Sequence, residues 1–280
     1  MRGVGRPPIT QENDTLKNNR TLGIVLAILG CLASVLTFYL LAGQYNLVID
    51  NKTLAGRADE ATSVTITYAV LGWLGIAAGG IWAAVLYGFA HRQSWAWFWG
   101  AVAASLQLLA GFFPAIPAAD SDLPMPTLVV FVVAAVLWLG MLLIGGVNWK
   151  IITLTFFAGI AYVLTFIDGV APIAKYTTSH DDPFWNGMYV MSQQVSWWGA
   201  ASWAIFSFAI FRKKSWAIPV GIFGAALSMM AGYPLGLHNA LEEVHRFSMF
   251  LPAPLLSTVL LVYLLMPSTR TMLEAWNRAP

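Results

Sequence analysis

Residues 94–111 read SWAWFWGAVAASLQLLAG. Eighteen positions pass without a charge, and three tryptophans crowd the first third. As a helix this stretch rises about 27 Å, close to the roughly 30 Å of a bilayer's hydrocarbon core. Indole rings gathered at one end fit the membrane–water boundary, where tryptophan concentrates. The small residues Ala96, Gly100 and Ala104 fall four apart on one face, a pattern that lets helices approach closely.

The stretch also recurs. Residues 215–232, SWAIPVGIFGAALSMMAG, align on it without a gap. Ser94, Trp95, Ala96, Gly100, Ala104, Leu106, Ala110 and Gly111 meet identical residues 121 positions later. The same offset pairs Tyr68 with Tyr189, Trp82 with Trp203 and Ala83 with Ala204; VLTF at 35–38 returns at 163–166. This predicts a duplicated four-helix unit. Four crossings are even, so both halves enter the membrane in the same sense and are related by an axis along its normal.

Composition agrees with a bilayer as solvent. The 280 residues are 58% hydrophobic and 10% charged, with a net charge of +2 and a mean hydropathy of +0.68. An aqueous domain carries about 25% charged residues. The small net charge argues against nucleic acid as a partner. No glycine-rich phosphate loop is present, so no ATP site is expected. The one cysteine, Cys31, allows neither an internal disulfide framework nor a cysteine metal site.

Eight stretches are long and apolar enough to cross: 21–43, 64–90, 95–117, 125–147, 150–172, 185–211, 215–238 and 247–266. Charge orients them. One side collects eleven basic residues (Arg2, Arg6, Lys17, Arg20, Arg92, Lys150, Arg212, Lys213, Lys214, Arg270 and Arg278) against Glu12, Asp14 and Glu274. The other holds Lys52, Arg57, Lys175 and Arg246 against nine acids. The expected fold is therefore an all-α integral membrane protein of eight transmembrane helices in two parallel four-helix repeats, with cytoplasmic termini. The divisions are a polar tail at 1–20, repeats at 21–147 and 148–266, and a cytoplasmic tail at 267–280. The plasma membrane is the expected location, with 180–182 and 238–246 on the non-cytoplasmic side and 44–63 and 173–184 as the longest external connections.

Polar residues inside spans are costly in hydrocarbon and mark sites. Asp168, Gln193 and Gln194 lie toward the outer end of the second repeat, where the aligned first-half positions hold Leu40, Gly72 and Trp73. This polarisation of one half predicts an intramembrane polar site. Trp95, Trp97, Trp99, Trp149, Trp216 and Trp185 read as interfacial anchors. Next to the outer ends, GLHNALEEVHRF at 236–247 concentrates histidine and acid. On an α-helix His238, Glu242 and His245 fall at i, i+4 and i+7, a narrow arc that suits a metal ion, with His180 and Asp182 able to complete the set. A solvated amphipathic turn gives the same spacing.

Three function classes follow. A non-catalytic subunit or scaffold of a larger membrane complex fits the nearly loop-free build, with lipid and other membrane subunits or further copies of the chain as partners. A carrier or channel for a small solute, ion or lipid would use the polar site of the second repeat. A metal- or haem-binding enzyme or redox subunit would use the histidine-rich turn; no cofactor is strongly implied, and the reading leans away from an enzyme.

Overall fold

The computed structural model describes residues 16–177, 182–243 and 245–278. Most of those residues are helical, and no strand is among them. The helices are α1 (Arg20–Leu54), α2 (Ala58–Ala90), α3 (Ala96–Phe112), α4 (Ala115–Ala119), α5 (Leu128–Ile144), α6 (Trp149–Thr177), α7 (Pro183–Phe211), α8 (Ala217–His238), α9 (Pro252–Leu265) and α10 (Pro267–Arg278), with a π-helical turn at Asn239–Glu243 after α8. Each of the eight apolar stretches contains one of these helices.

Among the described residues five helices are long and apolar enough to cross a membrane: Arg20–Leu54, Glu60–Ala90, Ala96–Ala119, Trp149–Pro172 and Ala217–Glu243. A sixth span arises if α9 and α10, bent by 74° at their junction, count as one. α5 is apolar but only 17 residues long. α7 has the length, 29 residues, but Asn186, Gln193, Gln194 and six serines and glycines dilute its apolar content. The chain is thus a helical protein with the character of a multi-pass membrane protein.

Three expectations about connections change. Residues 44–63 are not an open loop: α1 runs on to Leu54 and α2 begins at Ala58. The tight turn between them is clamped by Glu60, which receives Lys52 Nζ at 3.0 Å and Arg57 Nη2 at 2.6 Å. The backbone of α6 continues through Pro172 to Thr177. The tail from 267 is also helical, because Thr269, Leu273 and Trp276 recur at helical spacing; Thr269 and Leu273 are buried and Trp276 Nε1 donates to the Ile210 carbonyl at 2.8 Å.

The chain divides into two compact units. Unit 1 comprises 1–45 and 68–152; unit 2 comprises 46–67 and 153–280. In unit 1, α3 packs against α5. The small-residue stripe of α3 is filled from α5: a methyl group on Gly100 would meet Met141 Sδ at 2.7 Å, and one on Gly111 would meet the Phe131 backbone nitrogen at 2.6 Å. Trp82 of α2 packs over Gly30 of α1. Its indole N–H donates to Gln107 Oε1 at 2.8 Å, and Gln107 Nε2 donates to the Gly30 carbonyl and to Ser34 Oγ at 2.9 and 2.8 Å. One glutamine thereby joins α1, α2 and α3 through fully buried polar groups.

In unit 2, α8 packs on α7 and α9. A methyl on Gly221 would meet Leu264 at 2.7 Å and Phe206 at 2.8 Å. The stripes of α3 and α8 are therefore each filled by neighbours from their own unit. At the position aligned with Gln107 stands Ser228, whose hydroxyl shares a 3.0 Å bond with Thr165 Oγ1. Trp203, aligned with Trp82, is as deeply buried, yet its indole N–H has no partner among the described residues. Serine is too short to reproduce the three contacts of glutamine.

Candidate functional site

The site is built at the end of α8 where the helix is interrupted. Pro234 removes a backbone donor from the last turns, and the helix widens into the π turn Asn239–Glu243. Such turns are frequent at functional positions. His245 then adopts φ +49, reversing the chain toward α9, which opens on Pro252. Close approach at the junction requires glycine at 236, where a methyl would meet Leu251 Cδ2 at 2.6 Å.

The wide turn points Asn239 and Glu243 inward and leaves Glu242 exposed. Glu243 Oε1 accepts from Tyr189 Oη at 2.6 Å, and Oε2 accepts from Asn239 Nδ2 at 2.7 Å. Asn239 Oδ1 in turn accepts from Ser248 Oγ at 2.7 Å, and Ser248 Oγ accepts from the Phe250 amide at 3.2 Å. Tyr189, Asn239 and Ser248 are buried. Beneath them Tyr189, Leu235 and Phe250 form an apolar floor. One carboxylate is thus fixed by α7 and by its own turn, and charge-assisted bonds of this kind are the strong ones.

His238 completes the arrangement. Its Nε2 lies 3.7 Å from Glu243 Oε1, and its ring stacks on Trp185 with centroids 3.6 Å apart and planes 10° from parallel. Trp185 is held at the start of α7, where Asp182 is the N-cap: its Oδ1 accepts from the Phe184 amide at 2.9 Å, and Pro183 occupies the first turn. Asp182, Trp185, Pro234, Leu237, His238, Leu241, Glu242 and Glu243 line an open cleft of about 710 Å³. Among the described residues that line it, the ionisable side chains are three carboxylates and one imidazole.

The candidates from sequence fare differently. His238, Glu242 and Asp182 meet in this cleft. His245 does not share their arc, because helical spacing ends at Glu243 and the left-handed backbone at 245 turns that residue into an exposed position. His180 lies outside the described residues. Among the described residues no group of three or more histidines, cysteines or acids is placed to hold a metal ion. Asp168 and Gln193 are buried within α6 and α7, whereas Gln194, one residue and about 100° further round its helix, is exposed. None of these three lines the cleft.

Tyr189, Asn239, Glu243 and Ser248 were not singled out by their spacing. The 121-residue self-match of the sequence held a usable signal. Tyr189 aligns with Tyr68, but in unit 1 the Tyr68 hydroxyl is buried without a partner among the described residues. Trp185 and His238 align with Val64 and Pro117. The tyrosine is common to both halves; the groups that engage it are not. The sequence matches no protein-family model, no curated protein and no solved structure.

Proposed function

We propose that this chain is an eight-span membrane protein of two four-helix repeats, and that its second repeat binds a small cation-bearing solute, as a carrier would, at the end of α8. The observation that carries this reading is the Glu243 carboxylate, fixed by Tyr189 and Asn239 inside a cleft that Asp182 and Glu242 also line. Among the described residues of the wall three acids outnumber one imidazole, and that balance favours a cation. Trp185 adds an indole face, which attracts cations further. Charge alternation along the sequence puts this cleft on the non-cytoplasmic side. Both the eight-span count and the repeat rest on that alternation and on the 121-residue self-match.

Titration calorimetry of the purified full-length protein with tetramethylammonium, and with acetate as the anionic control, tests the reading. Binding of the cation alone is expected, weakened about tenfold or more in Glu243→Gln, since a charged partner is worth about 1.5–3 kcal/mol; Arg246→Gln, which lines no part of the cleft, should leave it unchanged. Equal heats for cation and anion, or full binding by Glu243→Gln, refute it. Uptake of the same cation into proteoliposomes separates a carrier from a receptor.

A second reading, a subunit of a larger membrane complex, draws on the outer face of α7. Met191, Gln194 and Trp198 form an exposed stripe there, with Met191 67% and Trp198 68% exposed. A glutamine on a lipid-facing stripe is unfavourable, whereas it bonds well across a helix–helix interface. Copurification of a stoichiometric partner in mild detergent, lost in Gln194→Leu, supports this reading; a monomer that retains cation binding counts against it.

A further inference from the structure

The opposite end of α8 carries a second site of different chemistry. The turn from α7 into α8 contains Arg212, Lys213 and Lys214, and α10 folds back beside it after the 74° bend. Two contacts seat α10 there. Trp276 Nε1 donates to the Ile210 carbonyl at 2.8 Å, and Lys213 Nζ stands 4.9 Å above the Trp276 ring. Leu273 is buried beneath. Between the turn and α10 remains a cleft of about 230 Å³, roughly seven water volumes at about 30 Å³ each.

Its lining divides by chemistry. Ile210, Ala217, Ile218 and Leu273 make an apolar wall; Lys214, Arg270, Ser215 and Asn277 present hydrogen-bond donors. Glu274 also lines it, but Arg278 Nη2 lies 3.5 Å from the Glu274 carboxylate and offsets its charge. Two cations supplied by separate elements, with neutral donors between and hydrocarbon beside them, match a phosphate attached to an acyl-bearing backbone. The position matches too. Lys214 and Ser215 immediately precede α8, and Trp216 is exposed there, as at a membrane–water boundary. Basic pockets between membrane helices are known headgroup sites.

We propose that this cleft binds the phosphate of an anionic phospholipid headgroup, with Lys214 and Arg270 as the paired cations and Ser215 and Asn277 as donors to the ester oxygens. Binding would tie α10 to the α7–α8 turn through the lipid as well as through Trp276. The site lies some 22 residues of helix away from the cation cleft and stands or falls independently of it.

The test uses the full-length protein in bilayer nanodiscs of phosphatidylcholine doped with phosphatidylglycerol, with retained lipid read by native mass spectrometry. The wild type is expected to retain phosphatidylglycerol selectively. Lys214→Ala with Arg270→Ala should weaken retention about 30-fold, the combined worth of two basic residues at an anionic surface. Arg92→Ala, in the basic turn between α2 and α3 and outside the cleft, should retain it. Retention by the double variant, or equal loss in Arg92→Ala, overturns the proposal. Should the double variant not fold, salt dependence of the wild type decides: selectivity must fall as ionic strength rises, and salt-insensitive retention overturns it. Inorganic phosphate is the second arm. If it displaces phosphatidylglycerol at equal concentration, the lipid assignment fails and the site is one for soluble phosphate.

Discussion

Gln107 and Ser228 occupy aligned positions and solve the same problem unequally. In a bilayer no water reaches a buried donor, so each must find a partner inside the protein. Gln107 satisfies Trp82 and at once accepts the duty of joining α1 to α3; Ser228 reaches Thr165 and leaves the Trp203 N–H unengaged. Gln107→Leu should therefore cost about 2 kcal/mol, orphaning an indole donor and breaking two further bonds, whereas Ser228→Ala should cost about 1 kcal/mol or less. Denaturant titration of the detergent-solubilised protein measures both. In unit 2, Tyr189→Phe removes one of the two donors from Glu243 and should lower stability by about 1–2 kcal/mol, with the loss shared by Glu243→Gln rather than added to it. Coupled costs in a double-mutant cycle are the check, because independent sites would sum. Neither cluster was legible from spacing alone. Gln107 lies 25 residues from Trp82, and Tyr189 54 from Glu243; only helix packing brings them together.

Helices themselves were easier to read than their ends. A stretch such as 94–111 leaves no alternative to a helix in lipid, so the eight apolar stretches each contain one. Their limits depend on polar detail. Glu60 draws Lys52 and Arg57 together and lets α1 and α2 extend well past the apolar run. α10 is polar on one face, so hydropathy overlooks it, although its apolar residues keep helical spacing. The metal arc of His238, Glu242 and His245 assumed an unbroken α-helix, and the π turn followed by a left-handed residue removes that assumption. Close packing of α3 on α5 gives the element-scale prediction. Gly111→Val places side-chain atoms against the Phe131 backbone, which cannot swing aside as a side chain could, and should destabilise by about 2 kcal/mol or more. Gly72→Ala, with nothing within 4 Å of the added methyl, should be neutral or stabilising by about 0.5–1 kcal/mol. Thermal unfolding of the two variants in one detergent compares them directly; equal shifts would show that α3 and α5 are not packed this closely.

At the scale of the molecule, the proposed eight-span topology depends on α7, which is long but not apolar enough to stand among the five clear spans. In a Cys31→Ser background, Gln93→Cys and Lys214→Cys should react with a membrane-impermeant maleimide from one side, and Leu54→Cys from the other. All three positions are exposed in the structure. If Lys214→Cys labels together with Leu54→Cys and apart from Gln93→Cys, an odd number of the helices α3, α5, α6 and α7 does not cross, and the eight-span reading fails. What sequence made legible at this scale was the alternation of charge between turns. What it concealed was how unevenly apolarity is distributed among the helices.

That unevenness bears on how the chain is made. α7 is diluted by amides, serines and glycines, and its N-cap aspartate favours water. The helix after it is apolar enough to cross unaided, and only a short basic turn separates the two. During synthesis α7 should thus linger at the bilayer surface until α8 emerges, and the pair should enter together as a hairpin, its tip held back by the positive charge of Arg212, Lys213 and Lys214. The cleft formed by Trp185, His238 and Glu243 would then be assembled in the act of insertion rather than by later folding, so a ribosome-bound chain halted before residue 217 should leave Trp185 still accessible to water.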